Sequence, residues 1–426
     1  MIEKNYSFEV INTNARDSQS KDIFFDIKKD IFSREKLKIE KNQYICVCSG
    51  GTTSSCVRED FLTLDLRKKY NQIYFDKESK IVSVGGGVLM KNLLNHLDKY
   101  NRLFPIGLSN LPGMGYVLTG GVSPLSRRYG LAIDNIEFLK GYFGNGEYFS
   151  LNKNKLNKRE LEIWEALRGA APFLAIVTEI GLKTFQNFPL LTIEGFIKEI
   201  ELKEIIKIAE NFPENMSLQW ISTNKIYIYI VAEIKTEKDK INIQNHLKAL
   251  NKYKSLSLKN YKDFKEVVFF PKELELFEFN PNYHSEVISL LGNDLDRNAN
   301  KFVEIISDIN KNKPNNSCYI ACQQLGGMTK EISNYQSYFV HRNSSWKPWI
   351  FASWERNSIK EREIAINWMN ASWEKLKKFC PNIHLAQLHN HLDSHDEEVT
   401  RAFDKKLEEL KILKNFCDPS GILPPL

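Results

Sequence analysis

The sequence predicts an α+β protein of two domains, the second an antiparallel sheet backed by helices. Three observations lead there. The chain has 426 residues, which at about 150 residues per domain corresponds to roughly two or three domains. Glycines crowd the stretch from Cys48 to Gly181 and are then sparse until Gly326 and Gly327. Short apolar runs broken by turns fill the early part, whereas longer alternating runs with many aromatics fill the later part.

Each element follows in order. Tyr44–Cys48, Phe61–Leu66 and Ile81–Gly85 read as buried strands. Val88–Tyr100 has helical spacing after the triplet Gly85–Gly87. Leu161–Leu167 reads as a short helix, and Leu174–Phe185 as a strand pair or one long strand. A strand at Leu191–Ile200 and a helix at Glu201–Phe212 open the second part. Strands at Ser217–Ser222 and Lys225–Glu233 and a helix at Lys238–Tyr253 follow. Ser317–Leu325, Tyr335–Arg342 and Pro348–Glu355 alternate as adjacent antiparallel strands do. A helix at Glu361–Phe379 closes this part, and Glu397–Phe416 reads as one amphipathic helix stopped at Asp418-Pro419.

Composition narrows the function. Hydrophobic residues make up 42% and charged residues 26%, as in ordinary globular proteins. A net charge of +6, without a basic patch interleaved with aromatics, does not point to nucleic acid. No apolar run approaches the roughly 18 residues that span a bilayer. The N-terminus lacks the basic and apolar regions of a signal peptide. The expectation is a cytoplasmic protein with no membrane partner, whose seven cysteines, none in a C-x-x-C pair, pack as small hydrophobes. The charge run from Lys153 to Glu162 reads as a solvated loop entering a helix.

Two stretches carry chemistry. Ser49-Gly50-Gly51-Thr52-Thr53-Ser54-Ser55 follows a strand. Its glycines permit a tight bend, and its amides and hydroxyls can line a concavity for an anion. No Gly-Lys-Ser/Thr follows, so it is not a P-loop. Phe104–Ile136 is dense in glycine yet apolar. Together they suit a large, flat, anionic cofactor, with backbone amides for phosphates and small residues leaving room for a ring.

The order SGG, then VSVGGGVLMKNL, the P-x-G, G-x-G and GG glycines, LSRRYGLAIDNI and WEALRGAAPFLAIVTEIGLKT resembles the PCMH-type FAD-binding domain of the vanillyl-alcohol oxidase superfamily. The nearer likeness is to the berberine-bridge-enzyme-like branch. It covers about Tyr44 to Thr184, and the tail from Leu385 to Pro425 is also similar. The resemblance implies a PCMH-type FAD-binding domain at 1–188, a substrate domain at 189–384 and a segment, 385–426, returning to the first domain. It implies that Ser49, Gly50, Gly51, Thr52 and Thr53 hold the pyrophosphate. Gly107, Ser109, Gly113, Gly115, Gly120 and Gly121 would surround the ribityl chain and ring. Ile176 and Val177 would meet the adenosine through their backbone, and Asn390, on a strand, would sit near the isoalloxazine.

Three departures from the family pattern matter. Thr52 stands where many members attach the flavin through His, and Ser109 where bicovalent members use Cys. FAD is therefore expected to be non-covalent. Leu388-His389-Asn390 replaces the family's Tyr-x-Asn, removing a Tyr base. Base candidates are His389, His391, Tyr338 and Glu355. His384, His389, His391 and His395 lie close in sequence, but no metal site is expected. His341 reads as a wall residue or an ordinary histidine. Gln323, Gln324, Tyr335 and Tyr338 fall on strands roofing the cofactor, half of them facing away. The implied activity is hydride transfer from a small organic substrate to flavin N5, with O2 as acceptor and hydrogen peroxide as product. A dehydrogenase using another acceptor and a non-catalytic flavin-binding relative are the alternatives.

Overall fold

The computed structural model describes residues 22–24, 26–27, 29–58, 61–109, 111–267, 283–333 and 336–426. Strands β1 (Asp22–Phe24), β2 (Ile45–Cys48) and β3 (Leu62–Asp65) form a small parallel sheet in the order β1-β3-β2. Next come β4 (Ile73–Phe75), β5 (Ile81–Gly85), β6 (Arg102–Leu103), β7 (Ile136–Phe143), β8 (Tyr148–Asn152), β9 (Ala175–Lys183) and β10 (Phe185–Gln186). Five of these make an antiparallel sheet, β4-β5-β9-β7-β8, and β6 pairs with β10.

The eight later strands make one sheet. They are β11 (Leu190–Ile197), β12 (Met216–Ser222), β13 (Ile226–Glu233), β14 (Ser257–Tyr261), β15 (Tyr283–Leu291), β16 (Tyr319–Gln324), β17 (Trp346–Glu355) and β18 (Asn382–His384). Their order is β14-β11-β13-β12-β16-β17-β15-β18, and every pairing is antiparallel. Strand alternation gives the sheet two faces. On one, Leu218, Trp220, Ile320 and Ile350 join a core with the helices Leu202–Glu210, Ala299–Lys311 and Ile359–Leu376. The first of these helices buries Leu202, Ile205, Ile206 and Ala209, the spacing of a single stripe. On the other face, Ile221, Tyr229, Tyr319 and Ala321 pack with Leu103 and Leu125 of the glycine-rich part.

Two buried arginines tie the sheet to that part. Arg127 donates to the carbonyls of Phe212 (2.7 Å), Met216 (2.9 Å) and Leu325 (2.6 Å). Arg342 forms a two-pronged pair with Asp134, at 2.7 and 2.8 Å. Both partners are almost fully buried.

Several sequence readings are corrected. Tyr335 lies outside the described residues, and residues 336–342 form no strand. They dock where the helix Lys158–Leu174, longer than predicted, bends at Arg168–Ala170. Tyr338 N donates to Arg168 O (2.9 Å). Gly169, at φ +136°, leaves no room there for a Cβ, which would sit 2.6 Å from the Tyr338 carbonyl carbon. The tail helix is two helices, His395–Phe403 and Leu407–Cys417, broken at Asp404 with φ 45°. Asn390 lies not on a strand but in a turn closed by Leu392 N to His389 O (2.8 Å). β15 and the helix Ala299–Lys311 were missed.

Removing one partner of a buried ion pair leaves an uncompensated charge, at a cost of about 3–5 kcal/mol. Arg342→Met is expected to lower the unfolding free energy by about that amount in urea titrations. Adding Asp134→Asn to it should restore a measurable part.

Candidate functional site

The site begins where β2 ends. The backbone there runs against the Pro112–Gly113 turn so closely that a Cβ on Gly50 would collide with the Gly113 amide nitrogen. A Cβ on Gly113 would lie 2.6 Å from Gly50 N. Ser49 pins a third segment: its Oγ donates to Gly86 O (2.6 Å) and accepts from Gly115 N (3.1 Å). Three separate glycine clusters thus converge on one serine. Gly51 and Gly107 adopt positive φ, +73° and +104°, which glycine alone tolerates readily.

This cradle forms one side of a cavity of about 330 Å³. Ser49, Gly50, Gly51, Thr52 and Thr53 line it, with Gly107, Ser109, Gly113, Gly115 and Val177. The opposite side comes from β15, β16 and β17, and Leu385–Leu388 of the tail close one edge. No carboxylate lies in the wall among the described residues. Amides and hydroxyls without acidic neighbours, on a backbone stripped of Cβ atoms, fit the pyrophosphate and flat ring of FAD. Among the described residues, Lys347 is the one charged side chain in the wall. Burial pushes its ammonium from 10.5 down to about 8, and the Trp349 ring centroid lies 4.9 Å from Nζ.

Other predicted residues lie elsewhere. The Ile176 side chain is buried among Ile45, Leu64 and Leu66, on the face of β9 opposite Val177, which leaves only its backbone for the predicted contact. Gly120 packs against His384 and Gly121 against Ala132, so both serve close packing rather than the cavity wall. Glu355 ends β17 and is exposed. Tyr338 is buried under the Lys406 ammonium, 4.6 Å from its ring centroid. Asn390 donates to His395 Nε2 (2.9 Å). His341 pairs with the Arg401 carbonyl (2.6 Å). Gln323 lines the cavity, whereas the Gln324 side chain bonds to the Leu218 amide and Ala209 carbonyl. All seven cysteines are buried free thiols.

His389 and His391 belong to a buried cluster behind the wall, which disfavours them as bases. His389 Nδ1 donates to Glu398 (2.7 Å), and its Nε2 lies 3.6 Å from Glu286. His391 Nε2 donates to Glu286 Oε1 (2.9 Å), and Ser54 Oγ donates to Oε2, the oxygen nearest His389 (2.9 Å). Burial opposes charge on His389, but Glu398 and Glu286 outweigh it and raise the imidazole from 6.5 to about 9. Burial likewise opposes charge on Glu286, yet His391, His389 and Ser54 lower it from 4.5 to about 2. Sequence reasoning missed Lys347, Glu286, Glu398 and the cavity-lining Gln387. For Lys347 and Glu286 the signal was a charged residue inside an otherwise apolar strand, in WKPWIFASW and YHSEVISLL.

Residues 38–152 match the FAD binding domain family. Over 164 residues, 38% of this chain and 36% of the relative, the sequence is 35% identical to an FAD-linked oxidoreductase of Hypoxylon pulicicidum. An FAD-linked oxidoreductase of Dictyostelium discoideum is 24% identical over 397 residues, 89% of this chain and 81% of that protein. The match spans about a third of the length of the first-ranked curated relatives. The berberine-bridge-enzyme-like 1 structure of Physcomitrella patens superposes with a TM-score of 0.80 at 18% identity, covering 97% of this chain and 92% of that one.

Two outcomes follow. Gly50→Ala forces the Gly113 turn away, so the variant should fold but take up FAD at least tenfold more weakly, read by flavin fluorescence; a shift of about 1.4 kcal/mol suffices for that. The histidine cluster makes stability depend on pH. The His389 contribution is full below 6.5 and is lost as pH rises through about 9, while that of Glu286 is full above 4.5 and is lost as pH falls through about 2. Between pH 6.5 and 9 the wild type should therefore lose stability relative to His389→Gln, by at most about 1.4 kcal/mol per pH unit, measured by urea unfolding at each pH.

Proposed function

We propose that this chain, which has the fold of the berberine-bridge-enzyme-like proteins and an FAD binding domain at residues 38–152, is an FAD-dependent oxidoreductase acting on a small organic substrate. The observation that carries this reading is the convergence of Gly50, Gly86, Gly113 and Gly115 on Ser49 at the mouth of one cavity. When bound, FAD would supply the two-electron chemistry, acceptance of a hydride from a substrate carbon at N5 and reoxidation by O2 to hydrogen peroxide.

The chain's own residues bind and orient. Backbone amides of Gly50 to Thr53 hold the pyrophosphate, and Gly107, Ser109, Gly113 and Gly115 surround the ribityl chain and ring. Val177 closes the adenosine end. The sheet side, with Tyr319, Gln323, Lys347 and Trp349, faces the substrate and excludes water. The four base candidates, His389, His391, Tyr338 and Glu355, stand outside the cavity wall. Thr52 and Ser109 line it where His and Cys attachment points would be, which supports a non-covalent flavin. Transfer to an acceptor other than O2 is the second reading.

The purified protein is expected to be yellow and to release its flavin into the supernatant on acid precipitation. Colour retained in the pellet would contradict non-covalent binding. After anaerobic reduction, admission of air should restore the oxidised spectrum within seconds. Reoxidation over many minutes would assign the dehydrogenase reading instead.

A further inference from the structure

Lys347 stands on the sheet wall of the cavity, opposite the glycine cradle. It is 4% exposed, and it lines the cavity. His384 on β18 and the Trp349 ring lie on its side of the sheet, Cys322 on β16 is near it but points into the helical layer, and none of these is a carboxylate. An isolated buried ammonium is costly unless a counter-charge arrives. Directly across the ladder stands Gln323, the Cα partner of Lys347. It is 3% exposed, lines the same cavity and leaves its amide nitrogen without a partner. On β15, the strand flanking β17 on the other side, Ser289 also lines the cavity, and its buried hydroxyl is unpaired. Three adjacent strands, β16, β17 and β15, therefore present on one face two unpartnered polar groups and an ammonium without a carboxylate in the wall.

Buried polar groups are nearly always satisfied. Two exceptions, both donor-capable, beside an ammonium with no carboxylate in the wall define what is missing: an anionic acceptor with more than one oxygen. We propose that Lys347, with Gln323 and Ser289, anchors an anionic oxygen group of the substrate, a carboxylate or equivalent oxyanion, so that the enzyme acts on an organic acid rather than on a neutral sugar or an amine. This rests on the oxidoreductase reading above. A charge-assisted hydrogen bond in a desolvated pocket discriminates strongly against a neutral isostere, because the donors are otherwise left unpaired.

The test uses the FAD-loaded protein with benzoate and acetate as probes and benzamide and acetamide as their neutral isosteres. Binding is followed by the flavin's visible spectrum and, independently, by calorimetry. At least one carboxylate should bind about tenfold or more tighter than its amide, the ratio expected for a hydrogen bond to a charged group. Its affinity should fall as pH rises above about 8, where the Lys347 ammonium loses its proton. Lys347→Met should lose that preference while keeping its FAD content, Lys347→Arg should retain part of it, and Gln323→Leu should lose less. Equal binding of acid and amide, no carboxylate binding at all, or unchanged carboxylate affinity in Lys347→Met would overturn the proposal. So would loss of FAD in Lys347→Met, which would assign the ammonium to the cofactor. A wild-type protein that takes up no FAD would overturn the oxidoreductase reading instead, and calorimetry with the carboxylates would still decide the anchor.

Discussion

Everything at the site depends on one steric constraint, the contact of the chain at Gly50 with the chain at Gly113 without an intervening side chain. Backbones meet this closely only where both residues lack a Cβ. The approach places the end of β2 beside the turn that precedes the helix Met114–Leu118, and Ser49 then fixes Gly86 and Gly115 with a single hydroxyl. A cradle built this way is made of main chain. Its shape is set by peptide geometry rather than by rotamers, so it is formed before any ligand enters.

The opposite wall follows a different logic. Alternation along β16 and β17 sends Ile320, Cys322 and Ile350 into the helical layer and Tyr319, Gln323, Lys347 and Trp349 toward the cradle. The same strands therefore supply a hydrophobic core and a polar site, one residue apart. Behind this wall, Glu286 joins the substrate-side sheet to Ser54 of the glycine loop and to His389 and His391 of the tail. Buried ionic networks contribute little net stability compared with a well-packed apolar core, but losing one member is costly. Three chain segments are thereby held in one arrangement at the back of the cavity.

Much of this was legible in the sequence, for identifiable reasons. Ile81–Gly85 has the predicted bounds, and β2, β3, β12 and β13 differ from prediction by a few residues at most, because turn residues flank clear apolar runs. The residues around the cradle were readable because glycine clusters in an apolar context mark places where main chain must approach main chain or a ligand. The segment ending at Arg342 was misread because its aromatics alternate as in a strand. They alternate there to fill the bend at Gly169 and to seat the guanidinium of Arg342 on Asp134, contacts far apart in sequence. Glu286 and Lys347 stand out in the sequence as charges in apolar strands, but their roles were unreadable for a related reason. A lone charge in a strand gains meaning only from its cross-strand neighbours, and pairing register is a tertiary fact. Asn390, Gly120 and Gly121 were assigned through the family likeness, and here they answer local packing instead.

Arg127 has a consequence for how small molecules reach the interior. Its guanidinium spans carbonyls at the end of one helix, the start of β12 and the end of β16, and burial gives it no water to fall back on. Swinging the lobes apart at that seam would strip a cation of all three acceptors at once. An incoming molecule therefore meets two lobes clamped at that seam, and it enters without hinging them apart there.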